Sequence, residues 1–115
     1  MKSLTMLATD MENRASTEAV ISYNKLAREY GQPRVTPETF HSHPFCAAFA
    51  LMDREDIAQK RPLRTALVYS EVLNRPGHGF FVMLAEARGQ SITESRQADE
   101  WTDELKKLRE HYKKS

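Results

Sequence analysis

The residues best suited to contact a ligand lie in the segment 74–80, NRPGHGF, which we call the corner. Arg75 carries a charge, His78 carries a titratable ring, and Gly77 and Gly79 let a ligand approach the backbone. If a helix begins near Gly79, its free amides point into the corner, as in many anion sites. These features make the corner a candidate ligand or anion site, with Arg75, Gly77, His78 and Gly79 as its contacts.

A plain turn is the alternative interpretation of the corner. Pro76-Gly77 suits a type II turn, in which proline fixes the first central residue and glycine takes the positive φ of the second. The sequence contains neither the phosphate loop with its lysine nor the three-glycine dinucleotide fingerprint. On the residues alone we favour the turn over an anion site, and we expect no cofactor.

A second candidate surface is basic. Seventeen Lys and Arg against sixteen Asp and Glu supply no protein-wide field for nucleic acid, so binding would need a local patch. If the helices, strand and corner resemble a winged helix, Lys60, Arg61 and Arg64 form that patch together with Arg75 and His78 of the corner, which would be the wing. The acids of the segment 53–56, DRED, would repel phosphate from the recognition helix, and we interpret them as a solvated face. A DNA-binding regulator is thus the alternative function.

The remaining candidates for chemistry are weaker. His41, His43 and Cys46 lie close together, but Pro44 interrupts any common helical face, so we expect no metal site and a small buried thiol at Cys46. One cysteine also excludes an intrachain disulfide.

Residue types for hydrolysis occur at Ser70, Glu71 and His78. The sequence lacks the G-x-S-x-G elbow, and nothing in it indicates that these three side chains converge. A small hydrolase is the third hypothesis, and we lean against an enzyme, with no catalytic residue assigned.

Hydrophobic spacing predicts the elements that position these residues. Residues 1–15 fit either a helix or an alternating strand. The other expected elements are a helix over 17–30 capped by Ser16 or Thr17, a short helix from Thr36-Pro37-Glu38, a helix from Pro44 to the segment before Pro62, a strand centred on 64–70, a helix over 80–88 in preference to a strand, and a terminal helix over 93–113.

A strand over 64–70 needs a partner, because unpaired buried backbone groups are costly. The candidates are residues 2–8, residues 80–83 or a second copy of the chain. The terminal helix carries a narrow apolar stripe that suits a symmetric partner or its own core, and we favour a homodimer. The stripe consists of Ala98, Trp101, Leu105, Leu108 and Tyr112.

Length and composition place the chain in one domain, 1–115. The expected fold is α+β: mostly helical, with a small β-sheet or hairpin around residues 64–72 and a long C-terminal amphipathic helix. The longest apolar run, Phe45 to Met52, is too short to cross a bilayer, and residues 1–16 do not form a secretory signal. We therefore expect a cytoplasmic protein that does not insert into a membrane.

The segments RPLRTALV and PGHGF resemble a motif of small uncharacterised bacterial proteins, which implies a bacterial or mobile-element origin. The match rests on Arg-Pro-Leu at 61–63, Thr65, the apolar run 66–68, and the corner. This resemblance implies no activity. Arg64 departs from it, which predicts an exposed start of the strand. The leading hypothesis is a non-enzymatic binding or adaptor protein whose corner contacts an anionic small molecule or a protein partner.

Overall fold

A computed structural model describes residues 2–17 and 19–113. Its helices and strands are α1 (Leu7–Ala15), β1 (Ile21–Ser22), α2 (Tyr23–Glu29), α3 (Pro44–Ala58), β2 (Val68–Tyr69), α4 (His78–Arg88) and α5 (Gln97–Tyr112). Short 3₁₀ turns occupy Leu4–Met6, Phe40–Ser42, Arg64–Leu67 and Glu94–Arg96. The expected α+β fold, mostly helical with a small sheet and a long last helix, is confirmed.

The first segment, which fitted either a helix or an alternating strand, forms the helix α1. Leu7, Met11 and Ala15 recur every four residues along α1, and all three are buried in the core. A helix places residues at this spacing on one face, and Met6, which the alternating pattern would have put beside Leu4 and Ala8, is exposed. The first segment therefore belongs to the core.

The helix predicted over 17–30 is shorter than expected and begins at Tyr23. Its cap is Ser22, whose hydroxyl accepts a hydrogen bond from the Lys25 amide at 3.2 Å. The expected caps lie elsewhere: the hydroxyls of Ser16 and Thr17 donate to carbonyls at the end of α1. The prediction was wrong because part of this segment is needed as a strand.

That strand is β1, which pairs in parallel with β2, so that Ile21 faces Val68 and Ser22 faces Tyr69. The expected partners within the chain, residues 2–8 and 80–83, were therefore wrong, and the 64–70 strand has a partner without a second copy of the chain. The strand is also shorter than predicted, because Arg64–Leu67 form a 3₁₀ turn. The Arg64 amide donates to the Asp56 carboxylate at 3.0 Å, a bond that fixes the start of this turn.

Helix α3 begins and ends as its local chemistry predicts. His43 caps it, since Nδ1 accepts from the Phe45 amide at 3.0 Å. At the other end the Lys60 amide donates to the Ile57 carbonyl and the Arg61 amide to the Asp56 carbonyl, a Schellman motif that places Lys60 at a φ of 56°. The short helix expected from Thr36 is replaced by a turn and the 3₁₀ turn Phe40–Ser42.

The preference for a helix after the corner is confirmed by α4, which ends at Gly89 with a φ of 66°.

The apolar stripe of α5 packs against its own chain: Leu108 is fully buried, and the Trp101 indole donates to the Ala66 carbonyl at 2.7 Å. Because the core of one chain covers this stripe, the stripe gives no support to the homodimer, which stays a prediction. Within residues 2–17 and 19–113, no helix is long and apolar enough to cross a bilayer.

Candidate functional site

A cavity of about 590 Å³ lies between α2, α3, α4 and the corner. Most of its wall is apolar. The larger apolar side chains on it include Val35, Phe40, Phe49, Leu73, Phe80 and Met83. Sites for small organic molecules typically measure about 300–1,000 Å³ and combine apolar walls with a few polar groups. The cavity has the size and the lining of such a site.

Aromatic rings form one wall of the cavity. The ring centre of Tyr23 lies 5.5 Å from that of Phe40 and 5.9 Å from that of Phe49. The rings of Phe40 and Phe49 lie 6.2 Å apart. These tilted contacts hold the wall in place, since each ring is packed against the two others.

Asp53 is the buried acid of the cavity wall. It is only 4% exposed, and Oδ1 accepts a hydrogen bond from the Thr65 hydroxyl at 2.6 Å. Burial raises the pKa of Asp53 to about 7, helped by the negative charges of Asp56 and Glu104 and opposed by the Thr65 hydrogen bond and Arg64. The interpretation of the segment 53–56 as a solvated face was therefore wrong for Asp53.

It was also wrong for Asp56, which is fully buried in an ion-pair network. The Asp56 carboxylate accepts from Arg61 Nε at 3.0 Å and from Arg64 Nε at 3.1 Å. The two terminal nitrogens of Arg64 reach Glu12 at 3.2 Å and Glu55 at 3.3 Å. Asp56 therefore joins the loop after α3 to the rest of the fold.

This network removes most of the basic patch expected at Lys60, Arg61 and Arg64. Arg64 is 3% exposed, so the expectation of an exposed residue there was wrong. Arg61 is half-buried and paired with Asp56, while Lys60 is exposed. The arginines therefore neutralise acids of their own chain, and the geometry gives no support to a nucleic-acid surface at this place.

The backbone of the corner differs from a type II turn. Ser70 and Arg75 form an isolated antiparallel bridge, and the residue with positive φ is Asn74, at 58°. Gly77 has an ordinary φ of −72° and caps α4. The expected positive φ at Gly77 was wrong, because the chain turns two residues before the proline. Asparagine is among the few residues that tolerate this conformation.

Three of the four predicted site residues lie at the cavity. Gly77, His78 and Gly79 line it, and His78 and Gly79 are exposed at its mouth. The Gly77 amide donates to the Tyr23 hydroxyl at 3.4 Å. Arg75 does not line the cavity, and its guanidinium lies 3.7 Å from the Glu94 carboxylate.

No family model, curated protein or solved structure matches the chain. The resemblance to small uncharacterised bacterial proteins therefore stays a prediction.

The other candidates for chemistry do not converge. Both ring nitrogens of His43 are occupied, since Nε2 lies 2.7 Å from the Pro33 carbonyl oxygen. Among residues 2–17 and 19–113 no group of three potential metal ligands comes together. The Ser70 hydroxyl accepts from the Leu73 amide, and in the part of the chain that the structure describes no hydrogen bond joins it to His78. Cys46 is half-buried at the cavity wall, more accessible than expected.

Sequence reasoning missed Tyr23 and Asp53 as polar groups of the cavity wall. Asp53 follows Phe49 by four residues and Asp56 follows Met52 by four, so both acids share the apolar face of α3. A charged residue on an apolar stripe signals a buried, partnered or functional group. The spacing of Asp53 and Asp56 from the apolar residues of α3 therefore already indicated that both acids are buried.

Proposed function

We propose that this protein binds a small organic ligand with an apolar body in the cavity of about 590 Å³, with the corner at the mouth. The observation that carries the proposal is the combination of this volume with an apolar wall and a buried polar group at Asp53. Cavities with this combination are the usual sites of small-molecule binding. The corner then serves as part of the entrance, and its residues contact the outer end of the ligand.

The mouth of the cavity supports this proposal because it exposes large apolar side chains. Val72 is 81% exposed, Leu73 47% and Val82 50%, and all three line the cavity. Covering apolar surface releases about 25 cal/mol for each Å² removed from water. A ligand that covers these side chains therefore gains affinity at the rim as well as in the interior.

We do not favour an adaptor role, in which a protein partner would cover the same rim. An adaptor needs a contact surface but no internal volume, whereas the wall here encloses space beneath the rim. The proposal assigns no reaction to the site. A cytoplasmic location stays a prediction from the sequence.

Binding can be tested with N-phenyl-1-naphthylamine, an uncharged dye whose fluorescence rises in an apolar environment. We expect a saturable increase when the dye is titrated into the protein. Ala50 lines the cavity from an exposed position, so A50W should fill the mouth and weaken binding about tenfold or more. Ala47 is exposed on the same helix but does not line the cavity, so A47W is the matched control.

Cys46 supplies a second readout that needs no variant. Its thiol lies at the cavity wall and is the only cysteine in the sequence, so bound dye should slow its alkylation by iodoacetamide. Absence of saturable binding, or equal weakening by A50W and A47W, would refute the proposal.

A further inference from the structure

Asp53 differs from the other buried acids, Asp56 and Glu104, because it is not paired with an arginine. Asp56 is paired with two arginines, and Glu104 accepts from Arg88 at 3.0 Å and from the Leu63 amide at 2.7 Å. Within residues 2–17 and 19–113 no cationic side chain lies within ion-pair distance of Asp53. A buried carboxylate without a cation is unfavourable, because it loses hydration without gaining a compensating charge.

Asp53 lies on the cavity wall, so a bound ligand can supply the missing charge. The acidic and basic side chains on the described wall are Asp53, Glu71 and His78, with neither lysine nor arginine among them. Glu71 and His78 lie at the exposed mouth, whereas Asp53 is buried. When Asp53 is ionised, the interior carries a negative charge that attracts cations and repels anions.

The wall around the carboxylate also suits a cation. The rings of Tyr23, Phe40 and Phe49 supply π surface, to which ammonium groups are attracted. The Tyr23 oxygen accepts one hydrogen bond, from the Gly77 amide, and keeps a second lone pair for another donor. Hydrogen-bond acceptors and aromatic faces thus occur together, which is the pattern expected for binding of an organic amine.

We propose that the cavity selects organic cations: a primary or secondary ammonium group binds the carboxylate of Asp53, and its apolar substituent occupies the aromatic-walled interior. This inference rests on the proposed function and specifies the class of ligand. It replaces the anionic ligand expected from the corner, since the buried acid of the cavity would repel an anion.

Three probes of nearly equal size test the proposal by displacement of N-phenyl-1-naphthylamine at pH 8. They are 2-naphthylmethylamine, which is cationic, 2-naphthalenemethanol, which is neutral, and 2-naphthoate, which is anionic. We expect the amine to bind about tenfold or more tightly than the alcohol, and the anion to bind most weakly. Equal affinity for amine and alcohol would overturn the inference.

Asp53→Asn removes the charge and keeps the oxygen that accepts from Thr65. We expect this variant to bind the dye but to lose the preference for the amine. Glu86→Gln, at an exposed acid of α4 that does not line the cavity, is the matched control and should keep the preference. An Asp53→Asn protein that still prefers the amine would contradict the assignment of the cation to this carboxylate.

The failures of the two proposals are distinguishable. If the unaltered protein does not bind the dye, the proposed function fails. If it binds the dye but does not distinguish the amine from the alcohol, only the cation selectivity fails. The comparison of the three probes needs only the unaltered protein, so it decides the inference even if Asp53→Asn does not fold.

Discussion

Replacing Asp53 by asparagine should stabilise the fold in a strongly pH-dependent way. Burial first, then Asp56 and Glu104, raise the pKa of Asp53 to about 7 from its ordinary value of 3.8, although Thr65 and Arg64 oppose the shift. Between these values the native protein keeps a proton on Asp53 that the unfolded chain has lost. The stability that this protonated group contributes is full below about pH 4 and is lost as the pH rises through about 7.

The magnitude follows from the size of the shift. Each pKa unit corresponds to about 1.4 kcal/mol, so a shift of about three units removes about 4 kcal/mol of stability by pH 8. About 3 kcal/mol of this loss falls between pH 5 and pH 8, because part of the titration of the unfolded chain lies below pH 5. Asparagine does not titrate, and its carbonyl oxygen retains the Thr65 hydrogen bond. The advantage of Asp53→Asn should therefore grow by about 3 kcal/mol over this interval.

Urea denaturation followed by circular dichroism at several pH values between 5 and 8 measures this difference. Asp99→Asn, at an exposed position in the first turn of α5, is the control, and its difference from the unaltered protein should change little over the same range. A pH-independent difference between Asp53→Asn and the unaltered protein would refute the reasoning, since it would show that native and unfolded Asp53 titrate alike.

Three further changes test the architecture by urea denaturation. Arg64→Ala should destabilise the fold by about 3–5 kcal/mol, because it removes a buried cation from Asp56, and a loss below 1 kcal/mol would contradict the network. Lys60→Gly should stabilise it by about 1 kcal/mol, because glycine relieves the positive φ after α3, and a lower midpoint would count against this reasoning. Trp101→Phe should cost about 1 kcal/mol with the loss of the bond to the Ala66 carbonyl, and an unchanged midpoint would show that this bond contributes nothing.

Long periodic segments were the part of the fold that the sequence could predict. Helix α3 has a proline at its start and apolar residues at spacings of three and four, and α5 has one continuous stripe. Strand β1 could not be predicted, because two residues are too few to show alternation, and Val20 beside it fits the helical spacing of Tyr23 and Ala27. Its pairing with Val68 depends on a long-range contact that no local pattern contains.

Only part of the candidate site could be predicted from the sequence, because the rest of it also depends on long-range contacts. The glycines of the corner mark an exposed backbone, and local composition is enough to find them. The cavity beneath the corner forms where α2, α3 and α4 meet, so its polar groups come from distant parts of the sequence. Asp53 and Asp56 share one short acidic segment, yet one is paired with arginines and the other is not. Only the positions of Arg61 and Arg64 in space distinguish them.

The packing of α1 against α5 has a consequence for how the chain folds. These helices are the first and last in the sequence, and each contributes fully buried residues, Leu7 and Met11 from one and Leu108 from the other. Contacts between distant segments form slowly, because a long loop must close first. During synthesis, the part of the apolar face of α1 that packs on α5 therefore stays uncovered until α5 has emerged from the ribosome, whereas the part that packs on the turn Arg64–Leu67 can be covered earlier.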